Sequence, residues 1–177
     1  MLKGKKVKLR PMEESDIAIV SKLRNSEMVL NNLCNFLPIN DSLLAQEEYF
    51  RTKLKVSNSI VPYFVITTLD DETIGTIHLK HTDYRCSNTM IGLFVREDFI
   101  GEGYGTDAVI EILKFIFNEM NLMRVYLEVF AFNERAIKSY IKAGFKVEGT
   151  LRDHLFRDGK YHDVIQMSIL RDEFVEL

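Results

Sequence analysis

Apolar residues change their spacing several times along the chain, and each change marks an expected element. Residues 7–10 alternate as a short strand, and Ser15 or Asp16 stands where an N-cap would open a helix through about Asn25. Residues 27–56 read as mainly helical, interrupted near Leu37, Pro38, Ile39 and Asn40. Asp41 or Ser42, with Gln46 and Glu47 close behind, then starts a helix through Lys55. Residues 63–69 are rich in β-branched and aromatic side chains, and Asp70, Asp71 and Glu72 supply a hairpin turn into 74–80. A loop over 81–88 leads into the apolar run Met90, Ile91, Gly92, Leu93, Phe94, Val95. Helical periodicity follows to about Glu119, then a strand at 124–129, then a helix started by Asn133. Phe145 enters another strand, and Asp158-Gly159 is a two-residue hairpin signal between 154–157 and 161–170. This order predicts an α+β fold with a mixed sheet and a parallel crossover between the fourth and fifth strands.

The crossover coincides with Ile100-Gly101-Glu102-Gly103-Tyr104-Gly105-Thr106. Glycines at alternate positions leave peptide N–H groups uncovered, and the helix that follows adds its unpaired donors and the positive end of its dipole. The combination is a cradle for phosphate or pyrophosphate; a plain turn is the alternative. The loop lacks the Gly-Lys-Ser/Thr ending of a nucleotidase P-loop. Counted from Gly103, it meets the looser dinucleotide fingerprint ending in Ala108, but that loop belongs after a first strand and not a hundred residues in.

Downstream comes Asn133-Glu134-Arg135-Ala136-Ile137-Lys138-Ser139-Tyr140-Ile141-Lys142-Ala143-Gly144-Phe145. Strand, glycine loop, helix, strand, Asn-started helix with an internal Tyr, then Gly-Phe: this order resembles the GCN5-related N-acetyltransferase superfamily. Val7-Lys8-Leu9-Arg10-Pro11 near the start and Phe156-Arg157-Asp158-Gly159-Lys160-Tyr161 near the end are similar to the branch of ribosomal-protein N-terminal acetyltransferases and spermidine acetyltransferases. The resemblance covers nearly the whole chain. It implies one N-acetyltransferase domain over 1–177, with a mostly antiparallel sheet of about seven strands flanked by helices. It also implies acetyl-CoA as donor, direct transfer to a primary amine, and commonly a dimer or larger assembly.

The resemblance further assigns roles. Gly101, Gly103 and Gly105 would hold the pyrophosphate, with the backbone of Ile100, Glu102 and Tyr104 and the Thr106 hydroxyl beside them. Ile100 stands where the family usually carries Gln or Arg, and Arg96 is a candidate to compensate. Phe94 and Val95 would bond the pantetheine amides from a strand splayed away from its neighbour, while Asn133, Arg135, Ala136 and Ser139 line that arm. Tyr140 would protonate the leaving thiolate. It lies seven residues after Asn133, on about the same helix face. In water that proton transfer costs roughly 2 kcal/mol, since Tyr has a pKa near 10 and a thiol near 8.5; burial narrows the gap.

An amine with the pKa of Lys is neutral in only about one molecule in two thousand at pH 7, so a base is expected. Relatives often carry Glu where Met90 stands, which leaves His78, His81, Asp83 and Glu128 as candidates. Arg24-Asn25 is read as a helix C-terminus with Asn in the left-handed cap, or as an acceptor-binding pair. Phe36, Leu37, Tyr49 and Phe50 could wall an acceptor pocket or form core; Phe156, Tyr161 and His162 flank the hairpin near which the family often places acceptor contacts.

Composition narrows the partners. The chain has 177 residues and a net charge of −3, which lends no support to a nucleic-acid partner. No apolar run approaches a membrane span, and the start lacks an apolar signal core. Cys34 and Cys86 suit a reducing cytoplasm, and the four histidines form no zinc pattern, so no metal is expected. Residues 31–40 carry no acid before Asp41, which weakens a polyamine acceptor, although Glu47, Glu48 and Asp83 are unplaced. A peptide α-amine or a small primary amine is favoured, with polyamine transfer or a catalytically impaired CoA-binding regulator as alternatives. An interaction domain in which the glycines only turn the chain is a third.

Overall fold

The computed structural model describes residues 1–32, 41–55 and 63–174. Its strands are β1 (Leu2–Lys3), β2 (Val7–Pro11), β3 (Tyr63–Thr68), β4 (Thr73–Asp83), β5 (Asn88–Val95), β6 (Arg124–Phe130), β7 (Lys146–Arg157) and β8 (Lys160–Leu170). The helices are α1 (Ile17–Arg24), α2 (Glu27–Asn32), α3 (Leu43–Lys55), α4 (Tyr104–Asn118) and α5 (Glu134–Lys142). All eight strands join one sheet in the order β1-β2-β3-β4-β5-β6-β8-β7. The short β1 brings the number to eight where about seven are expected, so the parallel crossover falls at β5 and β6.

One sheet face packs against α4. That helix buries Ala108, Val109, Ile112, Leu113 and Ile116 at helical spacing over Ile91, Val125, Leu127 and Val129. The other face carries a smaller core of Met12, Ile17, Val20, Phe50 and Val65 beneath α1 and α3. Strand alternation therefore sends odd-numbered residues of β5 and β6 to α4, and Met90, Gly92, Phe94, Tyr126 and Glu128 to the opposite side.

Two buried acids fix the backbone. Asp107, in the first turn of α4, accepts hydrogen bonds from the backbone N–H groups of Lys5 (3.2 Å), Lys6 (2.7 Å) and Val7 (3.0 Å). Asp16 is held by both terminal nitrogens of Arg10 at 2.7 Å and by the Glu13 N–H at 2.9 Å. Asp16 thus serves the turn before α1 and not as the side-chain cap expected of it. Ser42 does cap α3, accepting from the Ala45 N–H at 3.1 Å.

Elsewhere the outline shifts. β4 continues through His81 to Asp83, so the expected loop over 81–88 shrinks to a turn at 84–87. The register slips between Lys80 and Asp83, and His81 takes a φ of 49°; that irregularity hides the strand's continuation from any alternation pattern. β7 runs unbroken from Lys146 to Arg157 across two irregularities, and Asp158 and Gly159 turn it with positive φ at both positions (51° and 76°). Asn25 has φ −82° and is no left-handed cap; its side chain donates to the Asp41 carbonyl at 2.9 Å and accepts from Gln46 at 2.6 Å.

At the far edge, Arg124 of β6 reaches over β8 to Glu148, the extra residue of the β7 irregularity, and to Ser168. Hydrogen bonds from Arg124 and Ser168 hold the Glu148 carboxyl down at about 2, from an ordinary 4.5. Because the folded value is depressed, this stabilisation is complete above the unfolded pKa and fades as pH falls from about 4.5 toward about 2. Urea unfolding of wild type and Glu148→Gln across that range is expected to show a stability difference that closes as pH falls.

Candidate active site

Pairing between β5 and β6 stops after Asn88↔Arg124, Thr89↔Val125 and Met90↔Tyr126. Beyond Met90, β5 stays with β4 as far as Gly75↔Val95, while β6 stays with β8 as far as Phe130↔Val164. The two strands part, and a cleft of about 640 Å³ opens through the sheet.

The glycine loop lies at one end of this opening. Gly101 and Gly103 have φ of 87° and 88°, a region that costs other residues roughly 1–2 kcal/mol. Gly103 is the N-cap residue of α4, and a Cβ built on Gly101 would meet nothing within 4 Å, so its peptide faces open space. Ile100, Gly101, Gly103, Gly105 and Thr106 all line the cleft, as do Phe94 and Val95 from the strand before them. Unpaired N–H groups at a helix start, beside free strand edges, fit a pyrophosphate followed by an amide-bearing arm.

Of the groups around the loop, three are engaged elsewhere. The Arg96 guanidinium is engaged by Asp98 (2.6 Å) and Glu72 (2.6 Å) and lies over Phe99, so it does not compensate for Ile100. Glu102 offers its carbonyl to the Lys6 ammonium at 2.8 Å. Tyr104 packs edge-on against Phe99 and beneath Lys6.

The opposite wall is α5. The Asn133 carboxamide accepts from the Ala136 N–H at 3.2 Å and so caps the helix, while Asn133, Arg135, Ala136, Ser139 and Tyr140 line the cleft. The Thr106 and Ser139 hydroxyls meet at 2.7 Å and tie α4 to α5. Tyr140 is half-buried, with its ring 5.8 Å from Phe145, and it lines the cleft.

The four base candidates separate. His78 and Glu128 line the cleft from β4 and β6; Gln166 donates to Glu128 at 3.2 Å, and His78 stacks on Tyr63 at 4.8 Å. His81 and Asp83 do not line it. Asp83 accepts from the N–H groups of Arg85 and Cys86 and belongs to the turn. Met90 lines the cleft with no titratable group to offer.

Of the expected acceptor residues, Phe50 is fully buried core and Tyr49 packs on it, with Arg24 over both rings. Phe36 and Leu37 lie outside the described residues. Phe156 and Tyr161 are exposed and packed edge-on together, and His162 rests against Phe132, all away from the cleft. Glu47 pairs weakly with Arg51 at 4.0 Å, and neither Glu47 nor Glu48 lines the cleft.

Met28, Val29 and Asn32 of α2, together with Lys80 of β4, line the cleft without any sequence signal that singles them out. α2 is held by Arg157, which is buried at the end of β7. Its guanidinium donates to the carbonyls of Leu30 (3.2 Å) and Asn31 and lies over the Phe130 ring at 5.1 Å. A cation at a helix C-terminus also suits the dipole.

A mixed sheet parted at its parallel pair, with a glycine-led helix start at the parting, defines the acyl-CoA-dependent transferases of this fold. The chain matches the acetyltransferase (GNAT) domain family over residues 6–146 and belongs to it. It is 28% identical over 171 residues to an uncharacterised prophage-derived N-acetyltransferase of Bacillus subtilis, covering 97% of this chain and 93% of that one. It is 26% identical over 176 residues to the spermidine N(1)-acetyltransferase of Escherichia coli K12, covering 96% and 88%. The structure of the Vibrio cholerae spermidine N-acetyltransferase in complex with CoA and spermine superposes with a TM-score of 0.85 at 24% identity, over 94% of this chain and 96% of that one.

Arg157→Met keeps an unbranched stem but frees the end of α2. It is expected to lower kcat/KM for the amine roughly ten- to a hundredfold by misplacing the acceptor wall, with little change in acetyl-CoA affinity measured by calorimetry.

Proposed function

We propose that the cleft binds acetyl-CoA and a primary amine together and transfers the acetyl group directly between them, with Tyr140 as general acid and Glu128 as general base. One observation carries this: Tyr140 from α5 and Glu128 from β6 line the same opening as the glycine loop, on either side of the parted strands. Family membership makes the chain an N-acetyltransferase that takes its acetyl group from acetyl-CoA.

Forming the N–C bond and breaking the C–S bond releases one proton from the amine and calls for one at sulfur. The Glu128 carboxylate takes the first, directly or through one water, and the Gln166 amide fixes its orientation. The Tyr140 hydroxyl supplies the second and is reprotonated from solvent. The N–H groups of the glycine loop and α4 hold the phosphates, and the free edges of β5 and β6 hold the arm in extended form. Arg135 of α5 reaches toward the Met28 sulfur of α2 at 3.9 Å.

The acceptor is a peptide α-amine or a small primary amine. A polyamine is the second reading, supported by relatives named for spermidine. The reading treats residues 1–177 as one catalytic domain, cytoplasmic by its cysteine usage, and homo-oligomeric as the resemblance implies.

Acetyl-CoA at millimolar concentration is expected to raise the melting temperature, and an amine panel read by released thiol is expected to show turnover. Tyr140→Phe and Glu128→Gln are each expected to lower kcat on the order of a hundredfold. Unchanged kcat in either variant removes that residue's role.

A further inference from the structure

Two orientations of one peptide are open to the glycine loop. Gly103 has φ 88° and ψ −1°, the values of the third residue in a type II turn. Turning over the peptide between Glu102 and Gly103 converts that turn to type I, and glycine adopts either form freely. The two forms differ in what they show a ligand. In a trans peptide the C=O and the N–H point in opposite directions, so the side that receives the carbonyl loses the N–H.

The Lys6 ammonium favours one of the two. It donates to the Glu102 carbonyl at 2.8 Å and lies 5.4 Å from the centre of the Tyr104 ring. A Cβ built on Gly103 would meet Lys6 Cε at 4.0 Å. Among the described residues, Gly103 lines the cleft and Lys6 does not. Lys6 is itself held from behind. Its backbone N–H donates at 2.7 Å to the buried Asp107 carboxylate, which also accepts from Lys5 and Val7. At Gly4 a Cβ would collide with that carboxylate, so the turn carrying Lys6 lies close against the start of α4.

We propose that Lys6 is a positioning residue for the donor: holding the Glu102 carbonyl outward, it keeps the Gly103 N–H aimed into the cleft, where it takes a pyrophosphate oxygen. This rests on the donor reading of the loop given above and adds to it a residue about a hundred positions earlier in the chain. With the peptide turned over, the carbonyl would meet the phosphate instead, and two acceptors repel. Removing Lys6 lowers the fraction of loops in the receptive form, and apparent affinity falls by the same factor.

The test is CoA binding by calorimetry, with proton–nitrogen amide spectra recorded alongside. In wild type the Gly103 amide is expected to move downfield when CoA is added, as an N–H that gains a phosphate acceptor does. Lys6→Met is expected to weaken CoA binding about tenfold and to shift the Gly103 amide of the free protein, and Lys6→Arg to keep most of the affinity. Lys5→Met removes the same charge from the same turn but leaves the bond from Lys6 to Glu102 in place. It is expected to hold CoA within about twofold of wild type. Thermal unfolding without ligand checks that each variant is folded. Unchanged affinity in Lys6→Met overturns the proposal. Equal losses in Lys5→Met and Lys6→Met, or a loss in Lys6→Met that vanishes at about 0.5 M salt, do the same by showing that charge alone is at work. A Gly103 amide unmoved by bound CoA in wild type overturns it without any variant. Each of these results leaves the donor reading intact, whereas no CoA binding by wild type overturns both.

Discussion

Each of the two central strands keeps one neighbour and gives up the other, and the site follows from that division. β5 is drawn toward β4, where Gly75 permits an approach so close that a Cβ would sit 2.1 Å from the Phe94 carbonyl oxygen. The Arg96 N–H extends the contact, bonding the Ile74 carbonyl at 2.6 Å. β6 is drawn the other way by seven residue pairs with β8. The parted edges expose N–H and C=O groups that an intact sheet would satisfy, and leaving such groups buried without partners is costly. An open, ligand-sized cleft resolves the conflict, since water or an amide-bearing guest can pair with them.

The same division explains why α4 begins where it does. A parallel pair needs a crossover, and the crossover helix has to start at the end of β5, where the strands are already apart. Its uncapped N–H groups therefore point at the opening and not into the sheet. Asp107 then clamps the β1–β2 turn against the helix start through three backbone donors, which stiffens the loop without placing a charge in the cleft. Asp16 acts comparably before α1. Both of these buried acids serve the scaffold, whereas Glu128, one of the carboxylates lining the cleft, is half-buried and accepts from a neutral amide.

What could be read in the sequence was local. The glycine loop, the Asn133 cap, the Asp158-Gly159 hairpin and the position of Tyr140 depend on residues within a few places of each other. Local rules about φ, caps and helix faces are enough to place them. The base candidates could not be separated the same way. His78 and His81 are three residues apart, so alternation sends them to opposite faces, and which face borders the cleft is set by where β5 and β6 part. Arg96 was a reasonable partner for an anion until Glu72, twenty-four residues earlier, came to meet it. Phe156 and Tyr161 do not line the cleft, whereas Arg157 beside them holds α2 through carbonyls more than a hundred residues away.

Donor grip and acceptor choice are built from different parts of the chain, which limits how far overall similarity reaches. In the proposed reading the loop, α4 and α5, which are nearly contiguous, hold the donor largely through backbone, so many side chains are compatible with that task. The acceptor end is gathered from α2, β4 and β6, with α2 fixed from outside by Arg157. There the side chains themselves set the charge that a guest meets. Identity of 26% to a relative over nearly the full length therefore does not fix the acceptor. A single charged side chain at such a site can invert the preference between two amines of different charge.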